Sequence, residues 1–173
     1  LVNLWGFGPE GRVTKAPTDE ELEKRRAWVG IDKLSVQDNN LIKTIPELYV
    51  DLSSIAKGYG VDVVAEYLES IGIKDYMVDI GGEVRTKGKN GKDTPWRIAI
   101  EKPATDGVSQ TAQEIIEPGD LSIATSGDYR NYFEQNGVHF SHTIDPKTGK
   151  PISHNLVSIT VLADDCMSAD GSS

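Results

Sequence analysis

Apolar and polar positions along this chain follow two periods, one helical and one alternating, and each change of period marks an element. In "APTDEELEKRRAWVG" the period is helical: Thr18 and Glu21 form a capping box, acids fill the first turn, basic residues follow, and Gly30 ends the run. "KLSVQDNNLIKTIPELYVDL" alternates around "DNN", which predicts a hairpin and then a strand. The helical period returns from about Ser53 in "DLSSIAKGYGVDVVAEYLESIG" and closes with Gly72 as C-cap. "DYMVDIGGEVRTKGKNGKDTPWRIAIEKP" reads as strand, Gly-Gly break, strand, "NGKD" turn and strand. From "AQEIIEPGD" to "VLADD" come further strands, with tight turns at "PGD", "QNG" and "PKTG". Within that stretch Thr125, Ser126 and Gly127 read as a turn with exposed hydroxyls, and Tyr129, Tyr132 and Phe133 keep a helical spacing suited to a core. The closing "MSADGSS" shows neither a helical nor a strand ending. Strands outnumber helices and the hairpins look antiparallel, so the fold class is α+β.

Composition narrows the classes. With 173 residues, 38% hydrophobic and 26% charged, the chain fits one globular domain with a real core. A net charge of −9 argues against nucleic acid or an anionic membrane surface as the main partner. It also means that an anionic small ligand would need a local cation or a metal. No apolar run approaches the roughly 20 residues of a membrane span. Cys166 is the only cysteine, which excludes an internal disulfide and a cysteine metal cluster. "LVNLWGFGPEG" and "MSADGSS" read as the interior of a longer protein, without initiator Met, signal peptide or lipobox in this stretch.

Four segments carry candidate chemistry. In "DLSSIAKGYG", Asp51, Ser54 and Lys57 fall on one face at a helix start, where unpaired N–H groups and partial positive charge suit an anion. Gly58 and Gly60 each cost about 1 kcal/mol relative to Ala in a helix interior, so something packs closely there. Two readings fit equally: a ligand, or a plain cap by Asp51 or Ser53 with glycines that admit a neighbouring strand. "VDIGGEV" puts Gly81 and Gly82 between two strand halves, either as a close approach to a ligand or as a tight turn. His142 stands two residues before Ile144 and the "DPKTG" turn, and serves as a ligand contact or as a satisfied structural histidine; His139 and His154 have weaker claims. Asp170, with hydroxyls after it, offers oxygen ligands of the kind Mg²⁺ takes, or else belongs to a solvated tail. No His, Cys and acidic set has zinc spacing.

Taken together, "LVNLWGFGP", "YVDLSSIAKGYGVD", "VDIGGEV", "PWRIAIEKP", "ATSGDYRNYF", "SHTIDPKTGKPI" and "LVSITVLADDCMSAD", in this order, resemble the ApbE family of FAD:protein FMN transferases. The resemblance covers essentially the whole chain. It implies a T-fold-like α+β core and a Mg²⁺-dependent reaction: FAD is split, FMN is attached by a phosphoester to a Thr or Ser of a target protein, and AMP is released. By motif position, Asp51 and Lys57 match flavin-nucleotide contacts and Ile144 a position lining the FAD pocket. Ser54 matches a hydroxyl beside the metal, and Asp170 a metal ligand, with Ser173 as the last hydroxyl of that segment. His142 matches the motif histidine near the nucleotide or the acceptor hydroxyl, and Gly81 and Gly82 the point of close backbone approach. The resemblance further implies acceptors among the subunits of Na⁺-translocating NADH:quinone oxidoreductase or related electron-transport complexes. It also implies a periplasmic lipoprotein held at the inner membrane by an anchor outside this chain. The family's segments before "LVNLWGFGP" and after "SADGSS", which add flavin and metal contacts, are expected to be missing from these 173 residues. Two other readings use the same residues: a Mg²⁺-dependent FAD pyrophosphatase releasing FMN and AMP, and a non-catalytic FAD-binding protein.

Overall fold

The computed structural model describes residues 1–9, 11, 13, 15–103, 111–127, 132–135, 138–153 and 156–173, with 132–135 and 138–139 described by backbone alone. Tyr129 and His154 lie outside the described residues, as do the side chains of Tyr132, Phe133 and His139. Contacts group the chain into two compact units, Leu1–Val50 with Arg130–Asn155, and Asp51–Tyr129 with Leu156–Ser173. Helices and antiparallel strands are mixed throughout, as the α+β assignment requires.

In the first unit, helix α1 (Asp19–Arg26) carries the expected capping box, with Thr18 Oγ1 accepting from the Glu21 amide and Glu21 accepting from the Thr18 amide. It ends before Gly30, at Ala27, through turn bonds from Trp28 and Val29. Strands β1 (Leu34–Gln37) and β2 (Asn40–Lys43) form the hairpin signalled by "DNN". Asp38 and Asn39, its two turn residues, both adopt positive φ, the backbone a tight two-residue hairpin needs. The strand expected after it is absent: residues 44–47 form bends and a turn around Pro46, and residues 48–52 take no regular structure. Strands β8 (Tyr132–Gln135) and β9 (Val138–Ser141) pair antiparallel, so the helical spacing of Tyr132 and Phe133 belongs to a strand. Trp5 is buried, stacks on Phe140 at 5.4 Å and donates its indole N–H to the Gly149 carbonyl at 2.7 Å. That carbonyl ends the "DPKTG" turn, which is closed by the Gly149 amide on the Asp145 carbonyl at 2.8 Å.

The second unit is built on helix α2 (Ala56–Ser70), strands β3 (Tyr76–Ile80) and β4 (Glu83–Lys87), and β7 (Ser122–Gly127), β10 (Ser158–Ala163) and helix α3 (Cys166–Ser172). The strands form an antiparallel sheet in the order β10-β7-β4-β3. A separate hairpin pairs β5 (Ile98–Glu101) with β6 (Ala112–Ile116). Thr125, Ser126 and Gly127, expected in a turn, instead pair with Thr160, Ile159 and Ser158 as the end of β7. Helix α2 ends as its sequence predicts: the Gly72 amide bonds the Glu69 carbonyl and the Ile73 amide bonds Leu68, with Gly72 at φ +85. Its start is later than expected, at Ala56, because residues 53–55 form a turn first.

The chain's end differs most from expectation. "CMSADGS" is helix α3, with Cys166, Ala169 and Asp170 buried, and not a solvated tail. Both α2 and α3 pack on the four-stranded sheet and on each other. Val61 and Ala65 of α2, Tyr76 and Val78 of β3, and Cys166 of α3 make one buried cluster.

Candidate functional site

The start of α2 is where most of the sequence-predicted residues of the second unit gather. Helix α2 has no cap from its own side chains: its N-cap is Ile55. Asp51 does not cap it; its carboxylate accepts from the Ser53 amide at 2.9 Å. Bonds from Ser53, the hydroxyl first and then the amide, hold the Asp51 carboxyl below its ordinary value. The cap comes instead from the far end of the sequence, because Asp170 Oδ2 accepts the Gly58 amide at 2.9 Å. A carboxylate at this place also meets the positive end of the helix dipole. The other oxygen, Oδ1, carries no hydrogen bond among the described residues, and neither do the amides of Ala56 and Lys57.

Gly58 has its explanation in that contact. A Cβ there would stand 2.3 Å from the Cys166 carbonyl oxygen and 2.8 Å from Asp170 Cβ. The glycine therefore admits the backbone of α3, a neighbouring element of the kind the sequence allowed for, although a helix and not a strand. Gly60 is less constrained: its Cβ would meet only Ile80 Cδ1, at 3.2 Å.

Lys57 lies in the first turn of α2, one turn nearer its start than expected. Its ammonium is 2.6 Å from Glu83 Oε2, in an ion pair whose carboxylate side chain is 4% exposed while the lysine side chain is 47% exposed. Glu83 opens β4 directly after the Gly81-Gly82 turn, in register with Ile80. Both glycines have positive φ, so the pair is the two-residue turn of a hairpin. A Cβ on Gly81 would be 3.5 Å from Lys57 Cδ, so this turn lies against the lysine stem.

Ser54 is exposed in the turn before α2. Its neighbour Ile55 places Cγ2 3.0 Å from where a Gly171 Cβ would sit, which brings this turn beside the second half of α3. Ser173 Oγ donates to the Asp170 carbonyl at 3.0 Å and lies 2.9 Å from Ser126 Oγ of β7. One carboxylate with hydroxyls around it is a poor zinc site, and among the described residues no group of three or more His, Cys, Asp or Glu side chains could hold a metal. His142 and Ile144 belong to the first unit. His142 is half-buried with the Phe7 ring at 6.2 Å, edge to face, and Ile144 bridges to Pro151.

Sequence reasoning passed over a second ion pair and a second cap. Asp62 Oδ1 accepts from Arg85 at 2.7 Å and from the Cys166 amide at 2.9 Å, and Oδ2 accepts from the Met167 amide at 2.8 Å. Asp165 takes the Ser168 amide at 2.7 Å, so the first three amides of α3 are all satisfied. Helices α2 and α3 thus cap each other, through Asp170 in one direction and Asp62 in the other. A signal for Asp62 existed: Gly58, Val61, Asp62 and Ala65 form the buried stripe of α2, and an acid in such a stripe needs partners. Glu83 stands at the first position of a short strand after a turn, where no buried stripe marks it in the sequence.

Comparison with known proteins identifies the family of the chain. The model of the ApbE family matches residues 1–173. The FAD:protein FMN transferase of Vibrio cholerae is 66% identical over 171 residues, which are 99% of this chain and 51% of that protein. That of Haemophilus influenzae is 58% identical over 175 residues, 99% of this chain and 50% of the relative. The chain therefore spans about half the length of the curated relatives it matches. Among solved structures, the flavin transferase ApbE of Vibrio cholerae superposes with a TM-score of 0.87 at 63% identity, covering 98% of this chain and 53% of that one. The ApbE protein of Thermotoga maritima, at 31% identity, still gives 0.84 over 98% of this chain and 54% of that one. The chain belongs to the ApbE family.

Proposed function

We propose that the protein containing this chain is a Mg²⁺-dependent FAD:protein FMN transferase. The observation that carries the reading is the unsaturated start of α2: two amides without partners among the described residues, a half-exposed side chain at Lys57 and an open carboxylate oxygen at Asp170. In a chain of net charge −9 the two amides and the lysine are local donors suited to a pyrophosphate, and the carboxylate oxygen is open to a cation. The names of the relatives, each an FAD:protein FMN transferase, support the same reading.

The residues divide the work. The Ala56 and Lys57 amides and the Lys57 ammonium would bind phosphoryl oxygens and offset charge that builds on them as the P–O–P bridge opens. Asp51 would contact the nucleotide, Ile144 would line the flavin pocket, and the Gly81-Gly82 turn would leave room for close approach. Mg²⁺ is commonly held by one or two carboxylates together with substrate phosphates, without an all-protein cage. The donor set fits that habit, with Asp170 Oδ1 and the hydroxyls of Ser54 and Ser173 as ligands. Such an ion supplies Lewis-acid stabilisation of the transferring phosphoryl group. A carboxylate or His142 would take the proton of the acceptor Thr or Ser as its oxygen bonds to the FMN phosphorus, and AMP would leave with the bridging oxygen. Acceptors would be flavin-bearing subunits of Na⁺-translocating NADH:quinone oxidoreductase or related complexes, at the periplasmic face of the inner membrane.

The test uses the full-length protein with FAD, Mg²⁺ and an acceptor subunit. A flavin-fluorescent acceptor band in a denaturing gel, with AMP released in parallel, is expected. Asp170→Ala should abolish the metal-dependent reaction. AMP without a labelled band would indicate hydrolysis instead, and FAD recovered intact would indicate a carrier.

A further inference from the structure

Glu83 lies in the "VDIGGEV" motif, yet neither the motif reading nor the proposed chemistry gives it a role. It is a carboxylate at 4% side-chain exposure in a protein with 27 acidic residues against 18 basic ones. Buried glutamates are rare unless paired, and a buried ion pair is weak evidence for stability, since apolar residues of the same volume often serve as well. Among the described residues Lys57 is the only charged partner of the Glu83 side chain, and Glu83 Oε2 makes no hydrogen bond, so the contact is an ion pair. The pair is asymmetric: the glutamate side chain is enclosed and the lysine side chain is half exposed.

The geometry points to Glu83 as a positioning residue, whose buried carboxylate fixes the Lys57 ammonium at the start of α2 so that the ammonium's remaining protons face an arriving pyrophosphate. Lysine has a flexible four-carbon stem and three donors. Here the ammonium is anchored as an ion pair 2.6 Å from Glu83 Oε2, and the stem is flanked by Gly81, whose Cβ position is 3.5 Å from Lys57 Cδ. Anchoring removes the rotamer freedom the side chain would otherwise lose on meeting the ligand. The same division of labour, a glutamate holding a phosphate-binding lysine, operates in protein kinases. The two-residue Gly81-Gly82 turn then has a second task, because it sets Glu83 directly opposite Ile80 and so under the lysine. This inference rests on the flavin-nucleotide reading of Lys57.

The opposite role is physically available, and it fixes the test. A carboxylate beside the ammonium competes with an anion for it; if competition prevailed, removing the charge would tighten binding. The experiment is equilibrium dialysis of FAD against the full-length protein in chelator, so that turnover does not consume the ligand. Four proteins are compared: wild type, Glu83→Gln, Lys57→Met and the double variant. Positioning predicts that Glu83→Gln raises the Kd about tenfold, the scale of a freed lysine side chain. It also predicts that the double variant binds like Lys57→Met alone, because Glu83 acts only through Lys57. A purely structural glutamate would weaken binding in the Lys57→Met background as well, and that result would overturn the proposal. Unchanged or tighter binding by Glu83→Gln would also overturn it. Wild-type protein that shows no saturable FAD binding would sink the flavin reading itself, and this inference with it.

Discussion

Two ion pairs join the same helix to the same strand, and they are built in opposite senses. In one, the helix α2 supplies the cation, Lys57, and strand β4 the carboxylate, Glu83; in the other, α2 supplies Asp62 and β4 supplies Arg85. The distances are nearly equal, 2.6 and 2.7 Å. Their surroundings differ. Asp62 accepts three bonds with its two oxygens, and Arg85 is shared with Glu69 at 3.8 Å. Both oxygens of that carboxylate are occupied by the protein. At the other end Glu83 has one partner and Lys57 stands half exposed beside two unbonded amides. A saturated pair holds elements together, and an unsaturated one leaves capacity for something that is not yet bound. Distance alone would not have separated them.

The sharpest way to break this contrast is to neutralise each acid in turn. Asp62→Asn sets an amide N–H₂ against donors and removes the charge facing Arg85. Its cost should be about 3–5 kcal/mol, the range for breaking a buried pair from one side. Glu83→Gln keeps the volume and one acceptor for Lys57, and should cost about 1 kcal/mol or less. Urea midpoints of the two variants measure the difference. Equal losses would mean that the two pairs are structurally alike, and the distinction drawn from saturation would fail.

A smaller effect separates the two glycines of α2. In Gly58→Ala the new methyl meets the Cys166 carbonyl, which is backbone and cannot turn aside. Overpacking of this kind costs about 1–3 kcal/mol. It should also push Asp170 away from the Gly58 amide, so weaker FAD binding is expected along with the lower urea midpoint. In Gly60→Ala the methyl meets only the flexible end of Ile80, and the gain in helix propensity, about 1 kcal/mol, is largely kept. That variant should be as stable as wild type or slightly more so. If Gly58→Ala were harmless, α3 would not be packed on α2 as described.

What the sequence made legible follows from how far apart the interacting residues are. The Thr18–Glu21 capping box, the Asp38-Asn39 turn, the Gly81-Gly82 turn and the Gly72 C-cap all rest on contacts within five residues, and all four occur. Motif order carried the family, because seven short stretches in sequence are specific even where each alone is weak. Helix α3 was not legible: seven residues with two serines and a glycine have little helical preference of their own. It forms because Asp62, more than a hundred residues earlier, accepts two of its first amides. The Lys57–Glu83 pair was hidden for the same reason, since a hairpin turn and a helix start had to be assembled before the two charges met. The expected strand after Lys43 fails in the other direction: its alternation is real, but Pro46 and the bends around it give it no partner.

The last expected effect concerns protons at the saturated end. Burial first, and then the charge of Asp62, push the Cys166 thiol from an ordinary 9.0 up to about 12. Burial and the bond to Glu69 push the Tyr76 hydroxyl from 10.0 to about 12. Both groups are acids that the fold keeps protonated. As pH rises through 9 and 10 the unfolded chain therefore loses these protons before the folded one does. With fewer protons bound in the unfolded state, the pH slope of the unfolding free energy is negative. The contribution is intact below about pH 9 and disappears progressively up to about pH 12. Urea midpoints measured at about pH 8 and about pH 10.5 should show lower stability at the higher value. Across the same range Cys166 should resist alkylation in the native state and react once urea unfolds the chain. A thiol that reacts freely in the native protein at neutral pH would place Cys166 outside the α2–α3 contact, and the mutual capping of the two helices would have to be abandoned.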